Sequence, residues 1–324
     1  MARVHIVNVF PGDCSIIQHN SGRVTMVDIC DGNAETTRKA VFKGEAAGAT
    51  GNFRMCDCNT NPIEYCKSLG IKRLWRFVLS HPDMDHMDGF NRLVDQIGID
   101  NFWDSGARRE KPPFEGGQYF EDDWDRYVKV RDGQESGVTV LRKVAGDSFQ
   151  FANDAPEGQG HDGLHILAPT SELLNDPDLD NDVNEGSYVV NYQSNGGRIL
   201  LCGDAHDAAF GHIKRNYRQS VEGAAILLAP HHGRDSGRSY EFLDFIRPKL
   251  TVIGCAPSEY IDYAQWSRRG LDMITSNQAG NIVLDIGDGF IDVFIENKRF
   301  AVATHGTQLA TNDMGYHWWK RVKE

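Results

Sequence analysis

The chain is 324 residues long, is 40% hydrophobic, and carries a formal net charge of −12 at pH 7. That length and apolar content suffice for a full core in one large domain, residues 1–324, and no run approaches the roughly twenty apolar residues of a membrane-spanning helix. The acidic balance argues against a broad, sequence-independent grip on nucleic acid through lysine and arginine.

Met1-Ala2-Arg3-Val4-His5 runs straight into a strand without the apolar core of a secretion leader, so a cytoplasmic protein is expected. A polar, glycine-rich insertion with little periodicity follows near residues 32–66. It contains Cys56, Cys58 and Cys66, but a structural zinc needs a fourth ligand and none is adjacent. Seven cysteines, an odd number scattered over a long chain, do not form a disulfide framework, and reduced thiols are expected.

Leu74 to Leu79 reads as a short buried strand. It delivers Ser80-His81-Pro82-Asp83-Met84-Asp85-His86-Met87-Asp88-Gly89 to a sheet edge, where α/β folds place their chemistry. Pro82 has no backbone donor and starts this segment as a loop. Four donors in the pattern His-x-Asp-x-Asp-His on one loop can surround a divalent cation, whereas one histidine beside one aspartate would be ordinary surface.

The first α/β half ends near Gly98. A second insertion, near 105–160, carries Arg108-Arg109-Glu110-Lys111 and a helix expected near Asp122 to Arg131; long insertions beside a site form lids or substrate walls. Leu173 to Asn184 reads as a loop. The second half then presents Arg198-Ile199-Leu200-Leu201-Cys202 as a buried strand ending in Gly203-Asp204-Ala205-His206. A helix is expected near Ala208 to Val221, and the apolar run Ala224 to Ala229 ends in Pro230-His231-His232-Gly233. Trp318-Trp319-Lys320-Arg321 near the C-terminus either stacks on a base or pins the tail to the core.

Three buried strands that each end in acidic or imidazole residues form a constellation, and at this point the chain resembles a known family. The His81, Asp83, Asp85 and His86 motif, the Gly-Asp strand end at Asp204 and the His231-His232-Gly233 segment are similar to the metallo-β-lactamase fold. The likeness is to the branch found as the soluble hydrolase domain of ComEC-type DNA-uptake proteins. Val4 to Val9 with Gly12 to Ile17 resembles its first hairpin, Thr25 to Asp28 its second strand with a carboxylate supporting the metal loop, Asn184 to Val190 the segment before the Gly-Asp strand, and Ala279 to Ile282 its closing turn.

The resemblance implies an α/β fold, a metallo-β-lactamase-like αββα sandwich. It also implies two divalent metal ions, zinc or manganese, with magnesium possible. His81 and Asp83 would hold one cation and Asp85 and His86 a second, with Asp204 bridging. Of His231 and His232, one would ligate a metal (His231 is the candidate) and the other would serve as acid or oxyanion donor, with Asp85 joining them in catalysis. A late histidine of the family is absent, and Glu259, Asp262 or water would stand in. Asn184 and Ser187 would position substrate or support the site.

The implied activity is hydrolysis of a phosphodiester, DNA being one substrate, by a metal-activated water. Bound cations reverse the local field, so the acidic surface does not oppose this. The alternatives are hydrolysis of a small molecule, such as a cyclic nucleotide, phosphoester or lactone, and a partner-binding module with a vestigial site. No membrane partner is expected.

Overall fold

The computed structural model describes residues 1–34, 51–155, 160–176, 182–256 and 260–324. Its strands are β1 (Arg3–Ile6), β2 (Ser15–Gln18), β3 (Val24–Val27), β4 (Leu74–Leu79), β5 (Ile99–Asp104), β6 (Thr139–Leu141), β7 (Leu164–Ala168) and β8 (Val189–Ser194). They continue with β9 (Gly197–Leu201), β10 (Ile226–Leu228), β11 (Leu250–Ile253), β12 (Met273–Thr275), β13 (Ile282–Ile286), β14 (Phe290–Ile295) and β15 (His317–Lys323). Two sheets result, in the orders β15-β14-β13-β1-β2-β3-β4-β5-β6 and β12-β11-β10-β9-β8-β7.

Alternation along the strands divides the core into three layers. In β4, Val78 faces inward and packs with Val4, Ile17, Leu201, Leu228 and Val252, residues drawn from both sheets. Its neighbours Phe77 and Leu79 face outward, against Ile63, Phe90, Leu93 and Trp124. These belong to the helices Pro62–Ser68, Phe90–Gln96 and Glu121–Arg131. On the far side, Leu200 and Leu227 pack against Ala209, Phe210, Ile213 and Phe242 of the helices Asp207–Asn216 and Glu241–Ile246. Successive side chains of a strand point to opposite faces, so each sheet has two apolar faces and needs a cover on each. Sheet on sheet inside and helices outside give the α/β, metallo-β-lactamase-like αββα sandwich that the sequence implied. Truncating Phe77 or Leu200, both fully buried, would cost about 2–5 kcal/mol.

β4 lies between β3 and β5, parallel to both, so the loop after Leu79 emerges at the carboxyl edge of the first sheet. In the second sheet β9, β10 and β11 run parallel, and their loops emerge together. Two glycines allow the loops to meet. A Cβ on Gly12 would lie 1.8 Å from the Asp85 carbonyl oxygen, and one on Gly203 2.7 Å from the Ser80 Cβ, so neither position can carry a side chain without displacing backbone.

Three expectations change. Cys56 is bonded to Cys255, 199 residues away, whereas Cys58 and Cys66 are free and buried; the three cysteines of the first insertion form neither a zinc site nor a set of reduced thiols. Cys66 also lies on a helix, capped by Asn61 Oδ1 on the amides of Ile63 and Glu64, so regular structure resumes before residue 66; positions 35–50 of that insertion lie outside the described residues. The C-terminal tryptophans hold the tail to the core: Trp319 is buried against Phe300 and Trp318 donates to Asp292. No described helix is long and apolar enough to cross a membrane.

Candidate metal centre

The loop after β4 tightens into a single turn, Met84–His86. Asp83 caps it, its Oδ1 accepting from the Met84 amide at 2.7 Å, and this turn sends His81, Asp85 and His86 inward. Across the gap, the loop after β9 presents Asp204 and the loop after β10 presents His231 and His232. His231, His232 and Gly233 all have positive φ (53°, 54° and 76°). For the two histidines this left-handed geometry costs roughly 1–2 kcal/mol each, and it persists only where surroundings over-determine it. It aims His232 into the interior, fully buried, and leaves His231 at the mouth with a side chain 19% exposed.

Two imidazoles are hydrogen-bonded through Nδ1, and a third has a carboxylate beside that atom. Ser80 Oγ lies 3.0 Å from Nδ1 of His81, Asp28 Oδ2 2.9 Å from Nδ1 of His86, and Asp13 Oδ2 3.2 Å from Nδ1 of His232. The carboxylate of Asp28 also accepts from the Ser80 amide at 2.7 Å, tying ring and loop together. Occupation of Nδ1 in His81 and His86 leaves Nε2 as the atom each offers inward.

Those three Nε2 atoms converge on Asp204. His86 Nε2 is 3.2 Å from Asp204 Oδ1, His232 Nε2 3.7 Å from the same oxygen, and His81 Nε2 4.0 Å from Oδ2. Asp85 approaches His232 Nε2 at 3.5 Å and His86 Nε2 at 3.9 Å. Nε2 of His81, His86 and His232, with Oδ1 of Asp204, are buried without a hydrogen-bond partner. Orphaned buried polar atoms are rare and costly in a folded chain. Donors bonded to one tetrahedral cation at about 2.0–2.1 Å stand about 3.3 Å apart, close to these separations. The donor set therefore fits a divalent metal ion, with His81, His86 and Asp204 as one group and Asp85, His86 and His232 as a second.

Electrostatics follow from the packing. Burial, then the neighbouring His86, pushes the His81 imidazole down to about 3. Burial also opposes charge on His232, but Asp13 and Asp204 outweigh it and raise its pKa to about 10. His86 is raised in the same way, burial being overcome by Asp204, Asp28 and Asp85. Asp85 is held down to about 2, against its burial, by His86 and His232.

The structure gathers five of the expected ligands and sets one apart. His81, Asp85, His86 and Asp204 meet, and His231 joins at the rim with Nε2 3.5 Å from Asp204 Oδ2. Asp83 does not enter the cluster: having capped the turn, it forms an ion pair with Arg109 from the second insertion. His232, expected with His231 to divide ligand and acid or oxyanion roles, sits among the donors, its Nε2 3.7 Å from Asp204 Oδ1. Asp13, part of the Gly-Asp-Cys segment but given no role from sequence, lies within donor distance of Asp204 and His232. Its only sequence signal is position, one residue after a glycine in the first hairpin. Asp262 binds Gln265 and belongs to none of these groups; Glu259 lies outside the described residues. Ser187 Oγ accepts from the Asp204 amide at 3.3 Å, a supporting role.

A polar chain leads outward. His206 Nδ1 meets Asp182 at 2.8 Å, and its Nε2 faces His231 Nδ1 at 3.4 Å. With Asp182 accepting from His206 and His206 from His231, the lone pair of His231 lies on Nε2, toward Asp204. At the outer end of this chain Asp182 borders a cleft of about 720 Å³, lined also by Asp83, Arg108, Arg109, Glu110 and Asn184.

The fold and the donor set together describe a metallo-β-lactamase-like sandwich with a candidate metal centre between its strand ends. No family model matches the chain, and no curated protein matches it. Among solved structures it is similar to Igni18, a metallo hydrolase from the hyperthermophilic archaeon Ignicoccus hospitalis, at 15% identity over 88% of this chain and 100% of that one, with a TM-score of 0.49. It is also similar to a diphosphatase of the PhnP family, at 12% identity over 85% of this chain and 94% of that one, TM-score 0.42. A third is CmlA, a diiron beta-hydroxylase from Streptomyces venezuelae, at 9% identity over 87% of this chain and 54% of that one, TM-score 0.43.

Proposed function

We propose that the chain is a metal-dependent hydrolase that cleaves phosphodiesters, with DNA the first substrate to test given the ComEC-like arrangement of its motifs. The observation that carries the metal-dependent part is the set of buried, partnerless Nε2 atoms around Asp204; a vestigial site would not keep such atoms unsatisfied at a cost of about 1–3 kcal/mol each.

Divalent cations bound there supply a water of lowered pKa and polarise a phosphoryl oxygen. His81, Asp85, His86, Asp204 and His232 would hold them, with Asp13 and Asp28 beside two of the rings. His231 at the mouth turns Nε2 toward the reacting centre, its ring neutral at pH 7 because burial pushes its pKa down to about 4. Arg109 and Asn184 border the neighbouring cleft, where a substrate would lie.

A small diester is the second reading, and one observation favours it. The cleft arginines are already occupied, Arg108 by Asp104 and Arg109 by Asp83, which leaves little free positive charge for a polymer backbone. The test is hydrolysis of bis-p-nitrophenyl phosphate and of linear single- and double-stranded DNA by metal-stripped protein resupplied with Mn, Mg or Zn, with Asp85→Ala as control. Metal-dependent DNA cleavage absent from the control supports the nuclease; cleavage of the small diester alone supports the second reading; no turnover with any metal overturns both.

A further inference from the structure

One buried cation is used by neither the fold's ion pairs nor the donor set. Arg238 is 7% exposed, yet its partners are backbone carbonyls. Nη1 donates to Ala205 O at 3.4 Å, and Nη2 donates to Pro230 O and, at 3.1 Å, to Arg234 O. Its Nε is buried without a partner. A guanidinium removed from water normally takes a carboxylate, since burying an unpaired charge costs several kcal/mol.

The three carbonyls explain the placement. Ala205 follows Asp204, Pro230 precedes His231, and Arg234 follows Gly233, so one side chain grips the Asp204 loop and both ends of the left-handed His231-His232-Gly233 run. A backbone bond from the His231 amide to Gly203 O at 2.9 Å joins the same two loops. The planar fork, with donors in fixed directions, suits this in a way a single ammonium cannot. The ring of Tyr240, 5.7 Å from the guanidinium carbon, covers its outer face, and the Tyr240 hydroxyl donates to the Arg234 carbonyl at 3.2 Å.

We infer that Arg238 is a positioning residue for the metal centre: it clamps the Asp204 loop to the double-histidine loop and holds His231 and His232 in their strained conformation. This rests on the metal-hydrolase reading above and adds to it the residue that keeps the donors in register. Without the clamp, the histidine loop relaxes toward ordinary backbone angles and His232 Nε2 leaves the cluster.

The test uses the full chain, as parent, Arg238→Met and Arg238→Lys, titrated with cobalt(II) and followed by visible absorption, with turnover of bis-p-nitrophenyl phosphate measured in parallel. Arg238→Met is expected to alter the cobalt spectrum, weaken cobalt binding about 10–100-fold and lower kcat by a similar factor with KM little changed. Arg238→Lys is expected to fall between. Parent-like spectra and affinities in both variants, with only a lower Tm, would overturn the proposal. If circular dichroism shows Arg238→Met to be unfolded, Arg238→Lys decides by the same readouts. A parent that cleaves no diester while Arg238→Met still changes the cobalt spectrum leaves the clamp standing and removes the diesterase reading alone.

Discussion

Asp13 and His232 meet across the two sheets: a carboxylate oxygen from the hairpin of the first lies 3.2 Å from Nδ1 of a histidine on a loop of the second. A carboxylate behind a ligating imidazole fixes its orientation and raises its basicity. Asp13→Asn keeps the shape and removes the charge. It is expected to weaken the binding of one of two cations about 10–100-fold, read as metal per chain against free zinc. Parent-like stoichiometry and affinity in Asp13→Asn would remove Asp13 from the centre.

Asp83 gives the sharpest contrast between sequence and structure. The spacing His-x-Asp-x-Asp-His makes it a ligand by pattern, but the turn at Met84–His86 uses it as a cap and Arg109 takes its free oxygen. Asp83→Asn is expected to retain the parent's metal content, whereas Asp204→Asn loses most of it. Loss of metal in Asp83→Asn as large as in Asp204→Asn would restore Asp83 as a ligand.

Acid sensitivity has a source away from the centre. Burial pushes His5 down to about 4 and His19 down to about 3, below the roughly 6.5 of an unfolded histidine. A depressed folded pKa means that the unfolded chain takes the proton first. This contribution to stability is complete above pH 6.5 and is lost as pH falls toward 4 and 3. In urea titrations, His19→Gln is expected to reduce the parent's loss of stability between pH 6.5 and 4 by on the order of 2–3 kcal/mol. An unchanged loss would place the acid sensitivity elsewhere.

The Cys56–Cys255 bond closes a loop of 199 residues. Restricting so long a loop in the unfolded chain stabilises the fold by about 2–5 kcal/mol. Reduction, or Cys56→Ser, is expected to lower the midpoint of chemical unfolding accordingly. The effect is also expected to reach the site, because a Cβ on Gly254, the neighbour of Cys255, would stand 3.0 Å from Asp13 Oδ1 and 3.4 Å from the His232 Cβ. Equal unfolding midpoints with and without reductant would show the bond to be energetically idle.

What the sequence disclosed followed from local signals. Leu74–Leu79 is the strand expected, because six residues that are apolar at all but Arg76 have room for little else. The helix expected near Asp122 to Arg131 is Glu121–Arg131, and the one expected near Ala208 to Val221 is split at Tyr217 into Asp207–Asn216 and Arg218–Val221. His81, Asp85, His86 and Asp204 were legible because each follows a buried strand. The partnership of Asp13 with His232, the clamp at Arg238 and the bond between Cys56 and Cys255 were not, since each joins segments far apart in the chain with no periodicity to announce the contact. Asp83 stands apart from the other donors because ligand spacing counts residues and says nothing of which way a turn points them.

The donor shell is divided between layers. Asp13, His81, Asp85 and His86 belong to the nine-stranded sheet; Asp204, His231 and His232 belong to the six-stranded one. While the sheets are apart, each half holds only part of the donor shell, so closing the sandwich and completing the shell are one event. A cation held there acts as a rivet through the seam. Chelation is therefore expected to loosen the joint between the layers before either sheet frays, and hydrogen exchange to quicken first at the amides of the loops that follow β4 and β9.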